Sequence, residues 1–159
     1  MTESLTLDIV AGKMKEFGNA EQVRKNRIRI TTPPDRVHEA IRMIQAIFGF
    51  DRLITISAVD NGRTLELVYH LTGPHRMVVS IAVELPRDQP AIPTTSDILP
   101  SAAIYERQIH DLFGIQFPGH PRLTKIILNE DWPQDEFPLR KDWEPHADTF
   151  YGGIRKEKI

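Results

Sequence analysis

The sequence predicts a small α/β domain, in which helices pack on a mostly antiparallel sheet, followed by an extended C-terminal tail. Stretches of helical period alternate with runs of period two in the first 128 residues. An Asn-Gly turn joins two of the period-two runs, which is a strong hairpin signal. Beyond residue 128 no period is visible, and three prolines interrupt any helix. We therefore place one domain at residues 1–128 and an extended strap at residues 129–159.

The N-terminal third predicts two helices and one strand. The first helix ends at Gly18 and is marked by apolar residues at roughly helical spacing: Leu5, Leu7, Ile9, Met14 and Phe17. Arg27–Thr31 alternates apolar and polar residues, as a strand with one buried face does. Pro33 and Pro34 then favour the first turn of a second helix, which ends at Gly49. Its apolar face consists of Val37, Ala40, Ile41, Ile44 and Phe48.

The middle of the chain predicts an antiparallel meander covered on one face by the preceding helices. Residues 53–59 and 64–71 alternate with period two around the turn at residues 60–63, and residues 77–85 form a third such run. Residues 86–100 contain four prolines and read as an ordered loop. Ser101 then opens a helix that ends at Gly114, with an apolar face of Ala102, Tyr105, Ile109 and Leu112 or Phe113. Lys125-Ile126-Ile127-Leu128 is the last strand candidate.

Composition excludes several classes of function. The 20 basic and 22 acidic residues give a formal charge of −2, which offers no positive field for nucleic acid. Cysteine is absent, so disulfides, thiolate nucleophiles and iron–sulfur ligation are excluded, and any redox centre must belong to another chain. The N-terminal region contains no apolar run long enough for a signal peptide or a membrane span. We expect a cytoplasmic protein without cofactors, whose membrane contact is indirect.

The densest polar cluster lies on the predicted helix at residues 106–111. Helical spacing places His110 one turn after Glu106 and Asp111 one turn after Arg107, so each pair can meet on the helix surface. The same residue types also allow chemistry, with Glu106, His110 and His120 as metal ligands or as an acid–base group. No second ligand motif, Gly-rich phosphate loop or nucleophile elbow accompanies them. A small metal-dependent or acid–base enzyme is therefore the alternative to a chain without chemistry of its own.

Two aromatic segments each leave two interpretations open. The loop at residues 113–121 is either a helix C-cap whose phenylalanines fill the core or a shaped loop that presents Phe117 and His120 to another protein. The tail contains both tryptophans, with Phe137, Phe150 and Tyr151, and such residues are enriched among interface anchors. The tail is either a strap laid along a partner or a segment that folds back over its own domain. A stand-alone binding module is a further alternative.

Two motifs in order resemble those of a known family. The first is ERQIHDLFGIQFPGHPRLTKIIL at residues 106–128, and the second is PLRKD at residues 138–142. Looser similarity at residues 58–60 and 67–71 extends the resemblance over about residues 53–143. These motifs are similar to those of the 30 kDa subunit of respiratory complex I, which is the C subunit of NADH dehydrogenase. The family includes the corresponding small subunit of energy-converting, membrane-bound NiFe hydrogenases.

Some residues depart from the common family pattern. Gln108 stands where the family usually has Glu, and Glu136-Phe137 replaces the familiar Gly-His before PLRKD. Glu130-Asp131-Trp132-Pro133 is more similar to the hydrogenase-type and coenzyme-dependent relatives, so the resemblance favours an energy-converting hydrogenase or a related archaeal or bacterial complex.

The resemblance implies a non-catalytic scaffold subunit of a membrane-associated oxidoreductase complex. Such a subunit is a cofactor-free α/β domain packed against the hydrogenase-like large subunit, of the complex I 49 kDa type, near the iron–sulfur subunits. It lies on the cytoplasmic face of the cell membrane and takes part in electron transport only by holding its neighbours in register. Carried over by position, Glu106, Arg107 and Asp111 would be structural polar residues at or near the subunit interface, and the docking residues would be His120, Pro121, Pro138, Leu139, Arg140, Lys141 and Asp142. The aromatic segments add Phe117, Trp132 and Trp143 to the expected partner interface.

Overall fold

The computed structural model describes residues 6–145, which form one five-stranded sheet and three α-helices. The fold class predicted from the sequence, a mostly antiparallel sheet with packed helices, is confirmed. A 3₁₀ turn at Pro34–Arg36 precedes the second helix. The elements in chain order are α1 Leu7–Met14, β1 Asn19–Arg24, β2 Arg27–Thr31, α2 Val37–Phe48, β3 Arg52–Asp60, β4 Thr64–Thr72, β5 Val78–Pro86 and α3 Ala102–Phe113.

The strands lie in the order β1-β2-β5-β4-β3. All neighbours are antiparallel except β2 and β5, which run parallel. Strands β3, β4 and β5 pair successively, as the predicted meander requires. Strand β1 was not predicted, because nearly all its side chains are exposed and it therefore shows no apolar alternation.

One hydrophobic core fills the space between the helices and one face of the sheet. Alternate residues of β4 and β5 enter this core: Leu65, Leu67, Tyr69, Leu71, Val79, Ile81, Val83 and Leu85. All five residues of the predicted apolar face of α2 are also buried, which confirms the helical period. Helix α3 packs against β3 and contributes Ala102, Ile109 and Phe113.

Glycines end two of the helices but not the first. Gly49 and Gly114 adopt φ values of 69° and 74° at the C-caps of α2 and α3, and such left-handed backbone favours glycine. The first helix ends at Met14, before the predicted stop at Gly18. Gly18 has another role, because a Cβ atom there would lie 1.9 Å from the carbonyl oxygen of Thr31. Leu5, predicted to belong to α1, lies outside the described residues.

The predicted strand at residues 125–128 is wrong. These residues form an irregular loop, because the side chain of Asp111, and not a neighbouring strand, accepts the backbone N–H groups of Ile126, Ile127 and Leu128. The predicted loop at residues 86–100 is confirmed and pairs with the chain after α3 through a single bridge between Ala91 and Gln116. Among residues 6–145, no helix has the length and apolar character needed to cross a membrane.

A candidate docking site around the third helix

Glu106 lies inside the protein, beneath the loop at residues 86–100, called the proline-rich loop below. Its side chain is fully buried and accepts hydrogen bonds from the Thr94 hydroxyl, from the Thr95 amide at 2.8 Å and from the Thr95 hydroxyl at 2.9 Å. His120 approaches from the other side, with Nε2 3.9 Å from the Glu106 carboxylate. His120 Nε2 donates to the carbonyl of Ala103, and Nδ1 accepts the amide of Arg122. This cluster ties the loops before and after α3 to the helix.

Asp111 and Arg107 hold the loop at residues 124–128 against the outer side of α3. Asp111 Oδ2 accepts the amides of Ile126 at 2.7 Å, Ile127 at 2.8 Å and Leu128 at 3.3 Å. Arg107 donates to the carbonyls of Thr124 and Lys125 at 3.0 and 2.9 Å. The backbone polar groups of an irregular loop are thus satisfied by two side chains one helical turn apart.

The ion pairs expected on the helix surface do not form. Glu106 and Asp111 are 0% and 3% exposed. They accept hydrogen bonds from two different loops, which lie on different sides of α3. A buried carboxylate must be hydrogen-bonded, so these residues bond to backbone and hydroxyl donors, and not to the neighbouring His110 or Arg107. His110 Nδ1 donates instead to the carbonyl of Ile115 at 3.0 Å. Among residues 6–145, no three His, Asp or Glu side chains are arranged to hold a metal ion.

The loop at residues 113–121 does not present Phe117 on the surface. Phe117 is 1% exposed and Phe113 is 8% exposed, so both fill the core. Backbone hydrogen bonds from Ile92 to Gln116 and from Thr94 to Pro118 hold this loop against the proline-rich loop. The His120 side chain is also buried. Phe117 and His120 are thus enclosed by this chain, whereas Pro121 is exposed. Contact of these residues with a partner stays a prediction.

The described part of the tail folds back on the C-terminal end of α3. The Leu139 amide donates to the Leu112 carbonyl at 3.1 Å, and Arg140 Nε donates to the Phe113 carbonyl at 2.8 Å. The Arg140 guanidinium stacks 4.8 Å from the centre of the Phe137 ring, and this ring lies directly over Gly114. Burial lowers the pKa of Arg140. Leu139 and Arg140 of the PLRKD motif thus donate hydrogen bonds to carbonyl groups at the C-terminal end of α3, where helix carbonyls lack partners within the helix.

The two tryptophans pack on each other in the same segment. Their ring centres are 5.7 Å apart, and both indole N–H groups donate to Glu136, Trp132 to its carbonyl at 2.9 Å and Trp143 to its carboxylate at 3.1 Å. Each tryptophan is half-buried. Phe150 and Tyr151, the other aromatic residues of the predicted strap, lie outside the described residues.

A network of three charged residues, Asp60, Arg87 and Asp142, joins the tail to the C-terminal ends of β3 and β5. The Asp60 side chain is 2% exposed and accepts hydrogen bonds from Arg87 at 2.8 Å, from the Lys141 amide at 2.9 Å and from the Gly62 amide at 2.7 Å. Arg87 also pairs with Asp142, which is 68% exposed. The guanidinium of Arg87 lowers the pKa of both aspartates, and both aspartates raise its own. The sequence predicts the turn at Asp60, but not this partnership, because Arg87 and Asp142 are distant in sequence.

The predicted interface residues therefore divide by exposure. Five are internal or largely engaged by this chain: Glu106, Arg107, Asp111, Phe117 and His120. Trp132, Pro138, Arg140 and Trp143 are half-buried in the folded-back tail. Pro121, Leu139, Lys141 and Asp142 are exposed. The polar residues of α3, Glu106, Arg107 and Asp111, thus brace the domain, whereas the exposed residues of the predicted interface lie in the segments that follow the helix.

Comparisons with known proteins agree on one family. The family model described as the 30 kDa subunit of respiratory-chain NADH dehydrogenase matches residues 30–149. The C subunit of the F(420)H(2) dehydrogenase of Methanosarcina mazei is 36% identical over 121 residues, which cover 74% of this chain and 76% of the relative. The C/D subunit of the NADH-quinone oxidoreductase of Phocaeicola vulgatus is 34% identical over 73% of this chain and 22% of the relative.

A solved structure shares the fold over most of the chain. A chain in the membrane-bound sulfane sulfur reductase, described as an archaeal respiratory membrane complex, superposes with a TM-score of 0.77 and 28% sequence identity. The match covers 89% of this chain and 86% of that chain.

Proposed function

We propose that this chain, which belongs to the family of the 30 kDa subunit of respiratory-chain NADH dehydrogenase, is a non-catalytic scaffold in a membrane-associated oxidoreductase complex. It holds a hydrogenase-like large subunit and the iron–sulfur subunits in register for electron transfer. The chemistry belongs to those subunits, and this chain supplies contact area. It contacts the cytoplasmic face of the membrane only through its partners.

The burial of the signature carboxylates is the observation that carries this proposal. Glu106 and Asp111 are the acidic groups of the signature helix, and both are directed to internal donors: Thr94, Thr95 and the amides of residues 126–128. A general acid or base must reach the proton that it transfers. Groups enclosed in this way stabilise the shape of loops, which is what a docking protein requires.

The C/D subunit of the Phocaeicola vulgatus NADH-quinone oxidoreductase supports the choice of partner. This chain covers only 22% of that relative's length, and the name combines the letters of two subunits. A chain that combines both subunits would keep them in constant proximity. We therefore infer that the D-type large subunit is the direct neighbour of this chain, with the iron–sulfur subunits beyond it.

Affinity purification from the host membranes tests this proposal. We expect a tag on this chain to recover the large subunit, together with iron–sulfur subunits identified by mass spectrometry. Arg140→Ala should lower that recovery, because Arg140 holds the tail on α3 through the Phe113 carbonyl and the Phe137 ring. Recovery of this chain alone, from membranes that contain the large subunit, would contradict the proposal.

A further inference from the structure

We propose that the large subunit docks on an aliphatic patch of this chain formed by Ile104, Ile126, Ile127 and Leu139. The docking surface of the large subunit would have an apolar centre and a rim of basic residues. This inference rests on the proposed function and names the surface by which it is carried out. None of these residues except Leu139 was expected at the interface from the sequence motifs. The patch differs from the polar residues Glu106, Arg107 and Asp111, whose side chains bind groups of this chain.

Exposure distinguishes these four residues from the core. Their exposed fractions are 55% for Ile104, 37% for Ile126, 56% for Ile127 and 51% for Leu139. Single exposed aliphatic side chains are common on any protein and need no explanation. Here, however, all four belong to α3 or to segments that are hydrogen-bonded to it.

The contacts of α3 bring these segments together. Arg107 and Asp111 follow Ile104 at three and seven residues, so the three lie on one face of the helix. These same two side chains bind the backbone of residues 124–128 and place Ile126 and Ile127 beside that face. The amide of Leu139 binds the carbonyl of Leu112 at the end of the helix.

The loop that carries Ile126 and Ile127 is ordered by the molecule itself. Three consecutive amides bind one oxygen of Asp111, while Arg107 binds two carbonyls of the same loop. The two isoleucines are thus held outward in a defined shape before any partner arrives. A preorganised apolar surface loses less conformational entropy on binding, which favours a docking role.

The charge of the adjoining tail indicates the chemistry of the partner. Residues 129–145 include six acidic and two basic side chains. Glu130, Asp135 and Glu144 are exposed, and within the described part of the chain none of their carboxylates has an ion pair. An apolar patch beside an acidic rim fits a surface whose aliphatic centre is bordered by Lys or Arg. A second copy of this chain would bring the same acidic rim and is disfavoured by repulsion.

A tag on the large subunit tests the patch in the assembled complex. Cells that produce Ile104→Glu/Ile127→Glu should retain at least tenfold less of this chain on the tagged large subunit than cells with the native chain. Ile47→Glu and Val23→Glu are matched controls, because Ile47 and Val23 are 42% and 51% exposed but lie on α2 and β1. Both controls should be retained at native amounts. Raising the salt concentration during washing should release the native chain, since screening weakens an acidic rim.

Thermal unfolding of each purified variant separates loss of docking from loss of folding. If the patch variant is folded and is retained like the controls, the patch inference is overturned while the proposed function stands. If the native chain is not retained at all, the proposed function itself fails, and the inference fails with it. If the native chain is a dimer in solution that the patch variant dissociates, the patch belongs to a second copy and the inference is overturned.

Discussion

Among residues 6–145, three acidic side chains are buried, and each has hydrogen-bond partners in a segment distant in sequence. Asp60 binds Arg87 and the tail, Glu106 binds the proline-rich loop, and Asp111 binds the loop at residues 126–128. The acidic positions were visible in the sequence, but their burial was not, because helical period alone places Glu106 and Asp111 on a polar face. The donors to Glu106 and Asp111 are backbone amides and hydroxyls, which have no sequence signature.

Asp60→Asn should destabilise the domain by about 2 kcal/mol or more, since a hydrogen bond to a buried charged group is lost and Arg87 is left without its buried partner. Asp142→Asn is the matched control, because it removes the exposed partner of the same arginine and should have a much smaller effect. Urea unfolding measures both. Equal losses would show that the buried pair has no special weight.

His70, on the face of the sheet opposite the core, predicts a loss of stability in mild acid. Its ring lies between the hydroxyls of Ser57 at 3.1 Å and Ser80 at 2.9 Å. Burial, with Arg27 and Arg29 nearby, lowers its pKa below the usual 6.5. Below pH 6.5, His70 is therefore protonated more readily in the unfolded chain than in the folded one. The free energy of unfolding that is present above pH 6.5 thus decreases as the pH drops below this value. Urea unfolding at pH 7.5 and 5.5 should show a smaller difference for His70→Gln than for the native chain; an unchanged difference would refute this assignment.

At the level of elements, α3 and the segments around it decide how the tail is placed. The sequence predicts α3 and its glycine cap well, because a strong apolar period ends at a residue that tolerates left-handed backbone. The folded-back tail could not be chosen over a free strap, because it binds α3 through the carbonyls of Leu112 and Phe113. Carbonyl groups occur at every residue and give no signal in the sequence. Whether residues 129–159 also act as a strap on a partner stays a prediction.

Gly114→Ala should release the tail from α3. A Cβ atom at Gly114 would lie 2.5 Å from the Phe137 ring, and its φ of 74° adds backbone strain. Gly49→Ala is the matched control, since Gly49 has a similar φ of 69° at a helix end but its Cβ would make only an ordinary 3.5 Å contact with Pro74. Gly49→Ala should cost roughly 1–2 kcal/mol from strain alone, and Gly114→Ala distinctly more.

Tryptophan fluorescence reports directly on this release. The chain has two tryptophans, Trp132 and Trp143, and both lie in the tail. We expect the emission spectrum of the folded Gly114→Ala variant to shift and that of Gly49→Ala to stay native. Identical spectra for both variants would contradict the packing of Phe137 on Gly114.

For the whole molecule, the sequence predicted the meander, the three helices and the family, because these depend on local period and on motifs. The edge strand β1 and the interior position of the signature residues were missed, because they depend on contacts between distant segments. In this domain the polar residues of α3 brace loops, and we propose that the exposed aliphatic residues around it meet a partner. We further propose that none of these polar residues takes part in the chemistry of the complex.

The most direct test compares turnover with assembly. Glu106→Gln, His110→Gln and His120→Gln alter the three residues that a metal-dependent or acid–base enzyme would use. Membranes from each strain are assayed with the donor that the native membranes oxidise, chosen among H₂, NADH and reduced F420, and the assembled complex is quantified by its large subunit. We predict that activity falls only as far as assembly falls, so turnover per assembled complex stays native. A tenfold loss of turnover in a fully assembled complex would contradict the claim that these residues take no part in the chemistry.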